Sequence, residues 1–246
     1  MFRPEDRKRL RAELISTAQA DAGVSGAALL GSSALGREDR WSDIDLALCF
    51  AADADQAATI DDWTDLMYGE HTAVHHFDVT WGAALYRVYL LSSTLQVDLS
   101  FWPPSHFRAV GPSFSLIFGQ AANAVPVAAP VAEELIGAGW LHALHGRSSI
   151  ARGRVWQAEY MISAARDRVL ALACLRHGLP TREGRGMDYL PKDLTVTLAR
   201  GLIGSLDAQA LEPALRAITE ALLIETEHAD PELARRLAEP LSQIGG

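Results

Sequence analysis

The sequence predicts two architectures in series: an α/β (α+β) half built on a mixed sheet over residues 1–122, then an α-helical bundle over residues 130–246. Three observations predict it. Before residue 120 the chain carries short β-suited runs bounded by Gly, Ser, Asp or Pro, namely "AALL", "IDLALCF", "HHFDVTW", "LYRVYLLSS" and "LQVDLSFW". From Val131 the apolar residues recur at helical spacing, as in "VWQAEYMISAARDRVLALACLRHG", where Gly178 and Pro180 supply the stop. Between the two lies "GQAANAVPVAAP", residues 119–130, small in side chain and proline-containing, with the composition of a linker. Helices are expected over 131–144, 150–177, 192–203, 207–225 and 231–244.

Composition sets the class. Of the 246 residues 49% are apolar, enough for a packed core in either half. The apolar runs are short or broken by charges, and "MFRPEDRKRLRAELI" is charged where a signal peptide needs an apolar stretch. A cytoplasmic protein without a membrane role is therefore expected. The two cysteines, Cys49 and Cys174, form no CxxC pair, so neither a disulfide framework nor a thiolate zinc site is supported. A formal net charge of −9 repels a phosphate backbone, which argues against long nucleic acid as the main partner unless a local basic groove exists, and suits a cationic or neutral small molecule.

The chemistry is concentrated in "GSSALGREDRWSDIDLALCF", residues 31–50. In an extended strand side chains alternate, so Asp43 and Asp45 share one face while Ile44, Leu46, Leu48 and Phe50 take the other. The carboxylate face continues as Ala47 and Cys49, small and apolar, as for a strand covered on both sides. Two carboxylates crowded there repel unless a divalent cation lies between them. Hard oxygen ligands on a rigid strand suit magnesium, which keeps its waters and accepts substrate phosphates. A third carboxylate has two candidates. Asp98 in "TLQVDLSFW" lies with Gln96 and Ser100 opposite Leu95, Val97 and Leu99, and Asp78 in "HHFDVTW" lies with His76 and Thr80. Asp98 is preferred because its run is framed by aliphatics. Two magnesium ions about 4 Å apart, bridged by such acids, stabilise the attacking and leaving oxygens of an in-line phosphoryl displacement.

The Gly-Ser pair supplies a phosphate grip. Gly31 permits a tight turn after "AALL", and Ser32 opens a short helix whose free N–H groups and hydroxyl can receive phosphate oxygens. No Gly-Lys-Ser/Thr loop follows and no GxGxxG is present, so kinase-like P-loop and dinucleotide-binding readings fall away.

Gly31-Ser32, ten intervening residues, "SDIDL" with Asp43 and Asp45, and a later "VDL" with Asp98 resemble the nucleotidyltransferase superfamily typified by DNA polymerase beta. Within it, "GSSALGREDRWSDIDL" is similar to the antibiotic nucleotidyltransferases of aminoglycoside and lincosamide type. The resemblance covers about residues 25–103. It implies that Asp43, Asp45 and Asp98 hold magnesium and that Gly31-Ser32 holds a nucleoside triphosphate. An acceptor hydroxyl then attacks the α-phosphorus and pyrophosphate leaves.

Other constellations have two readings each. His71, His75 and His76 cluster in "EHTAVHHF", but no HExxH occurs and a strand sends His75 and His76 to opposite faces, against a zinc site. Arg152, Glu159 and Arg166 are seven apart on an expected helix, with Ser163 between them. That stripe is either a salt-bridged face or a cleft-facing one. In the second case Glu159 is a general base or ammonium clamp, and the arginines meet the triphosphate. Arg185 and Lys192 are further phosphate candidates or ordinary surface charges. The function expected is transfer of AMP from ATP to a hydroxyl of a small molecule, with an aminoglycoside-like acceptor as the leading example. The alternatives are a protein-modifying nucleotidyltransferase of a toxin–antitoxin pair and a nucleotide-binding regulator without turnover.

Overall fold

Alternation of apolar and polar side chains in the first half produces one mixed sheet, and helical periodicity in the second produces a bundle. The structure, a computed structural model, describes residues 1–109, 111, 113–125 and 130–245. The chain divides into two units, Met1–Val127 and Ala128–Gly246. Of the expected linker, residues 126–129 lie outside the described residues.

The first unit runs α1 (Pro4–Ala20), β1 (Val24–Leu30), α2 (Gly31–Ala34), β2 (Ile44–Phe50), α3 (Gln56–Gly69), β3 (Ala73–Trp81), β4 (Ala84–Leu91), β5 (Gln96–Trp102) and β6 (Phe114–Phe118). The strand order is β3-β4-β5-β2-β1-β6, with β2 and β5 parallel and the other neighbours antiparallel. The β6 strand, from "FSLIF", was not among the expected runs. Its inward residues are only half-buried, so its pattern is weak, and pairing with β1 makes it a strand.

The two faces of the sheet differ. One packs on α1 and α3 through Leu10, Leu14, Trp63 and Met67 against Ile44, Leu46, Leu48, Val97, Leu99 and Phe101. Trp63 also donates from Nε1 to Asp21 Oδ2 at 2.8 Å, which satisfies its buried N–H. The opposite face carries a smaller cluster of Ala28, Ala47, Cys49, Ala84, Trp102 and Phe107 at one end only. The other end of that face bears the acids.

The second unit runs α4 (Ala132–Ala151), α5 (Val155–Arg176), a 3-10 turn (Met187–Tyr189), α6 (Lys192–Ala199), α7 (Ala208–Ala229) and α8 (Pro231–Gly245). Its core is built from Ile136, Ala143, Ile162, Val169, Leu215, Ile218 and Leu222. Gly146 approaches Ile162 closely, and a Cβ there would stand 3.2 Å from Ile162 Cγ1, so a small residue lets α4 and α5 pack tightly. Both cysteines are buried and free. The expected helix over 150–177 is split. α4 runs on to Ala151, Arg152 is its C-cap, Gly153 has φ +67°, and α5 begins only at Val155. Among the described residues no helix is long and apolar enough to cross a membrane.

The loop from α2 to β2 is held from below. Arg7 of α1 is buried, with Nη1 donating to the carbonyls of Asp39 (2.6 Å) and Ser42 (2.9 Å). Its Nε lies 3.2 Å from Glu38 Oε1, an ion pair too poorly aligned for a hydrogen bond, and Arg11 pairs with the same carboxylate. A guanidinium can be desolvated there only because carbonyls and a carboxylate receive it. Arg7→Met should therefore strand two carbonyls and lower the unfolding free energy by about 2–4 kcal/mol in urea melts. A loss under about 0.5 kcal/mol would show that the loop holds itself in place.

Candidate active site

Parallel pairing of β2 and β5 builds the centre of the site. Asp45 and Asp98 are Cα partners across the two strands, so their side chains stand side by side on one face. Asp43 lies two residues before Asp45 and joins that face from the mouth of β2. One carboxylate oxygen from each of Asp43, Asp45 and Asp98 lies within 4.8 Å of the others, and all three residues are half-buried. Magnesium–oxygen distances near 2.1 Å place opposite ligands about 4 Å apart, so three hard oxygens at this separation fit a divalent cation with little movement. The donor set contains no sulfur or nitrogen, which suits magnesium over zinc.

Gly31 closes one side. It has φ +60°, and a Cβ there would overlap the Asp45 carboxylate, whose Cγ would lie 3.0 Å away. Only glycine lets the chain turn out of β1 so close to Asp45. The helix that follows is a single turn, Gly31–Ala34, in which Ser33 Oγ donates to the Leu30 carbonyl at 2.9 Å. The Ser32 hydroxyl makes no hydrogen bond to another described residue.

Crowding shows in the electrostatics. Burial raises the Asp98 pKa to about 6; the hydrogen bond from Gln96 Nε2 (2.9 Å) opposes the rise and the neighbouring Asp43 charge adds to it. Tyr86, on β4, is pushed up to about 12 by burial and then by Asp45.

Asp78 is elsewhere. It pairs with Arg87, which pairs in turn with Leu99, so it faces the helix-covered side of the sheet, opposite Asp98. There Arg87 donates to both its oxygens, at 2.7 and 2.8 Å, and also reaches Thr64 Oγ1 of α3 at 2.6 Å. His76 bonds the Tyr68 hydroxyl through Nδ1 at 3.0 Å. The rings of His75 and His76 lie 6.2 Å apart and near-parallel beside a register shift at the start of β3, closer than fully opposed side chains would be. Among the described residues the histidines join no group of three metal-ligating side chains.

In the second unit the expected three-residue stripe is corrected. Arg152 caps α4 and does not share a helix with Glu159 and Arg166, because Gly153 breaks the run. On α5, Ser163 Oγ donates to Glu159 Oε1 at 2.7 Å and receives Arg166 Nη1 at 3.3 Å, while Arg166 pairs with Asp167 at 3.0 Å. Glu159 is half-buried and has no cation partner among the described residues. Arg185 is an exposed partner of Glu183, and Lys192 is the exposed first residue of α6.

Sequence reasoning placed Gln96 on the face of Asp98 without assigning it a role, and missed Arg7 and Tyr86. Tyr86 was visible in principle, since it alternates with Ala84 and Val88 in "ALYRVYLL". Arg7 carried no local signal, because its partners lie 32 and 35 residues away.

No family model and no curated protein matches the chain. Among solved structures it is similar to an aminoglycoside 6-adenyltransferase from Bacillus subtilis, at 13% identity, covering 94% of this chain and 95% of that one with a TM-score of 0.42.

The raised Asp98 pKa has a consequence for stability. The folded protein holds this proton more tightly than the unfolded chain, so the contribution is fully present below about pH 4 and is lost as pH rises through about 6. In chelator, thermal melts between about pH 4.5 and 7.5 should show Asp98→Asn gaining on the wild type as pH rises. A difference that stays constant across that range would contradict the assignment.

Proposed function

We propose that this protein is a metal-dependent nucleotidyltransferase that moves AMP from ATP to a hydroxyl of a small molecule and releases pyrophosphate. The observation that carries the proposal is the convergence of Asp43, Asp45 and Asp98 within 4.8 Å, beside a glycine turn pressed against Asp45. Three half-buried carboxylates drawn together, one of them raised by burial and then by the neighbouring Asp43 charge, are a poor structural device and a good cation site.

Magnesium held by these three residues would neutralise charge on the transferring phosphoryl group. Gly31 and Ser32 border the acids on the β1 side and are assigned to the triphosphate, through the free N–H groups of the turn and the Ser32 hydroxyl. The acceptor oxygen forms a bond to the α-phosphorus. The bond from that phosphorus to the bridging oxygen breaks, and its electron pair departs on pyrophosphate. The hydroxyl proton passes to a carboxylate, for which Glu159 is proposed: it has one hydrogen bond from Ser163 and no cation of its own. Arg152 and Arg166 belong to different helices, so a shared helical stripe no longer supports their triphosphate role, which is left to Gly31 and Ser32.

The direct test is pyrophosphate release from ATP with magnesium and a panel of acceptors, including cationic aminoglycosides, other hydroxyl compounds and proteins. Asp43→Asn and Asp45→Asn should each lower turnover on the order of a thousandfold while the far-UV circular dichroism is unchanged. Near-normal turnover in either variant would remove the metal assignment. Nucleotide binding with no release for any acceptor would make the protein a regulator.

Glu159→Gln separates two roles by itself. As the base, it should lower turnover about 100-fold or more with nucleotide affinity nearly unchanged. A fall in melting temperature with turnover per folded molecule preserved would make it a structural residue of α5.

A further inference from the structure

The acid-bearing face of the sheet continues past the carboxylates as an exposed apolar surface. Across the strands, Asp98 of β5 pairs with Val88 of β4, which pairs with Phe77 of β3, and in the next row Ser100 pairs with Tyr86 and Tyr86 with Val79. Cross-strand partners share a face, so Phe77, Val79 and Trp81 lie on the side of Asp98, with Phe77 in its row about two strand spacings or 10 Å away and Val79 and Trp81 successively further along β3 toward Trp102. Trp81 confirms the face, since its ring meets that of Trp102 edge-on at 6.5 Å. These three side chains are 64%, 42% and 45% exposed, on an edge strand where solvent-facing positions are ordinarily polar. Over the whole β3–β4 portion of this face no Asp, Glu, Lys or Arg occurs. The charged pair of this hairpin, Asp78 and Arg87, is on the other face.

The strand order gives this surface a direction relative to the reaction. Along β3-β4-β5-β2-β1 the acids on β5 and β2 are central, with Gly31 and Ser32 beyond β1 on one side and the apolar stripe on the other. In-line displacement requires the attacking and leaving oxygens to lie on opposite sides of the phosphorus. If pyrophosphate departs toward Gly31 and Ser32, the acceptor hydroxyl arrives past Asp98 from the side of β4 and β3. The remainder of the acceptor then rests on Val88, Phe77, Val79 and Trp81.

We propose that the acceptor is an amphiphilic hydroxyl compound whose flat apolar portion lies on Phe77, Val79 and Trp81, and that this stripe determines acceptor specificity. The proposal rests on the nucleotidyltransferase reading. It refines that reading, because beyond the carboxylates the β3–β4 part of this face offers an acceptor's ammonium groups no Asp or Glu.

A matched pair of probes tests it: phenyl β-D-glucoside and methyl β-D-glucoside, which share their hydroxyls and differ in the apolar group. Affinities are measured on the full chain with magnesium and a non-hydrolysable ATP analogue. Magnesium-dependent binding of the analogue is recorded separately. Wild type should bind the phenyl compound about tenfold or more tightly than the methyl compound, as expected for covering one ring face. The triple variant Phe77→Thr, Val79→Thr, Trp81→Thr should lose that preference with nucleotide binding unchanged. Phe77→Thr alone, at the most exposed position, should lose part of it and serves if the triple variant melts early. Equal affinities, no measurable binding of the phenyl compound, or a preference that survives the triple variant would overturn the proposal and leave the nucleotidyltransferase reading standing. A wild-type dimer that the triple variant converts to monomer would assign the stripe to a second copy of this chain and also overturn it. Absence of magnesium-dependent nucleotide binding in the wild type would overturn the underlying reading, and the proposal with it.

Discussion

Parallel pairing of β2 with β5 sets Asp45 across from Asp98, and the same register sets Leu46 across from Leu99 and Leu48 across from Phe101 on the reverse face. The two consequences cannot be separated. A slip of one residue would part the carboxylates, but it would also turn Leu46 and Leu48 out of the core beneath α1 and α3. Each such side chain contributes roughly 1.5–3 kcal/mol on burial, and several are involved, whereas like charges at a half-buried edge repel by a few kcal/mol at most. Burial wins, and the acids stay together. The apolar face of the strand pair is thus what holds the acidic face in a configuration it would not adopt alone.

Local devices finish what the register begins. Asp43 precedes β2, so its position depends on the loop, and the loop depends on Arg7 reaching two of its carbonyls from α1. Asp45 sits where a side chain on the preceding turn would be, which the absence of a Cβ at Gly31 allows. Both devices act by exclusion of alternatives rather than by strong attraction. A buried guanidinium has few other acceptors within reach, and a residue at φ +60° in contact with a carboxylate has few other identities.

The sheet, the bundle and the acidic cluster were largely legible because they rest on patterns with a period. Alternation placed Asp43 and Asp45 on one face, and the aliphatic frame of "LQVDLSFW" favoured Asp98 over Asp78. The reason Asp78 lies apart is topological: Arg87, nine residues away across a hairpin, turns with it toward α3. Helix boundaries were less legible. Arg152 read as part of the α5 stripe because spacing by seven says nothing about a chain break, and the break rests on Gly153, an isolated glycine inside an apolar-periodic run. β6 was missed because a half-buried edge strand lacks the alternation that defines a strand from sequence. Arg7 was missed because a buried arginine is defined by distant carbonyls, which leave no local trace.

The position of the acids on their strands separates this site from the usual logic of open α/β sheets, where ligands gather outside the carboxyl ends of parallel strands. Asp45 and Asp98 are near the amino ends of β2 and β5, while the carboxyl ends, at Cys49 and Trp102, are closed by Phe107 and its neighbours. Tyr86 marks the division, its ring against Trp102 at 5.9 Å and its hydroxyl in the field of Asp45. With a pKa pushed up to about 12 the phenol keeps its proton throughout the physiological range, and so remains a hydrogen-bond donor at the edge of an acidic cluster. One end of the face is therefore a buried apolar core closed by Trp102 and Phe107 and the other a half-buried acidic cluster, with the Tyr86 ring between them. The acids thus stand at the end of the parallel pair opposite to the one where ligands gather in open α/β sheets.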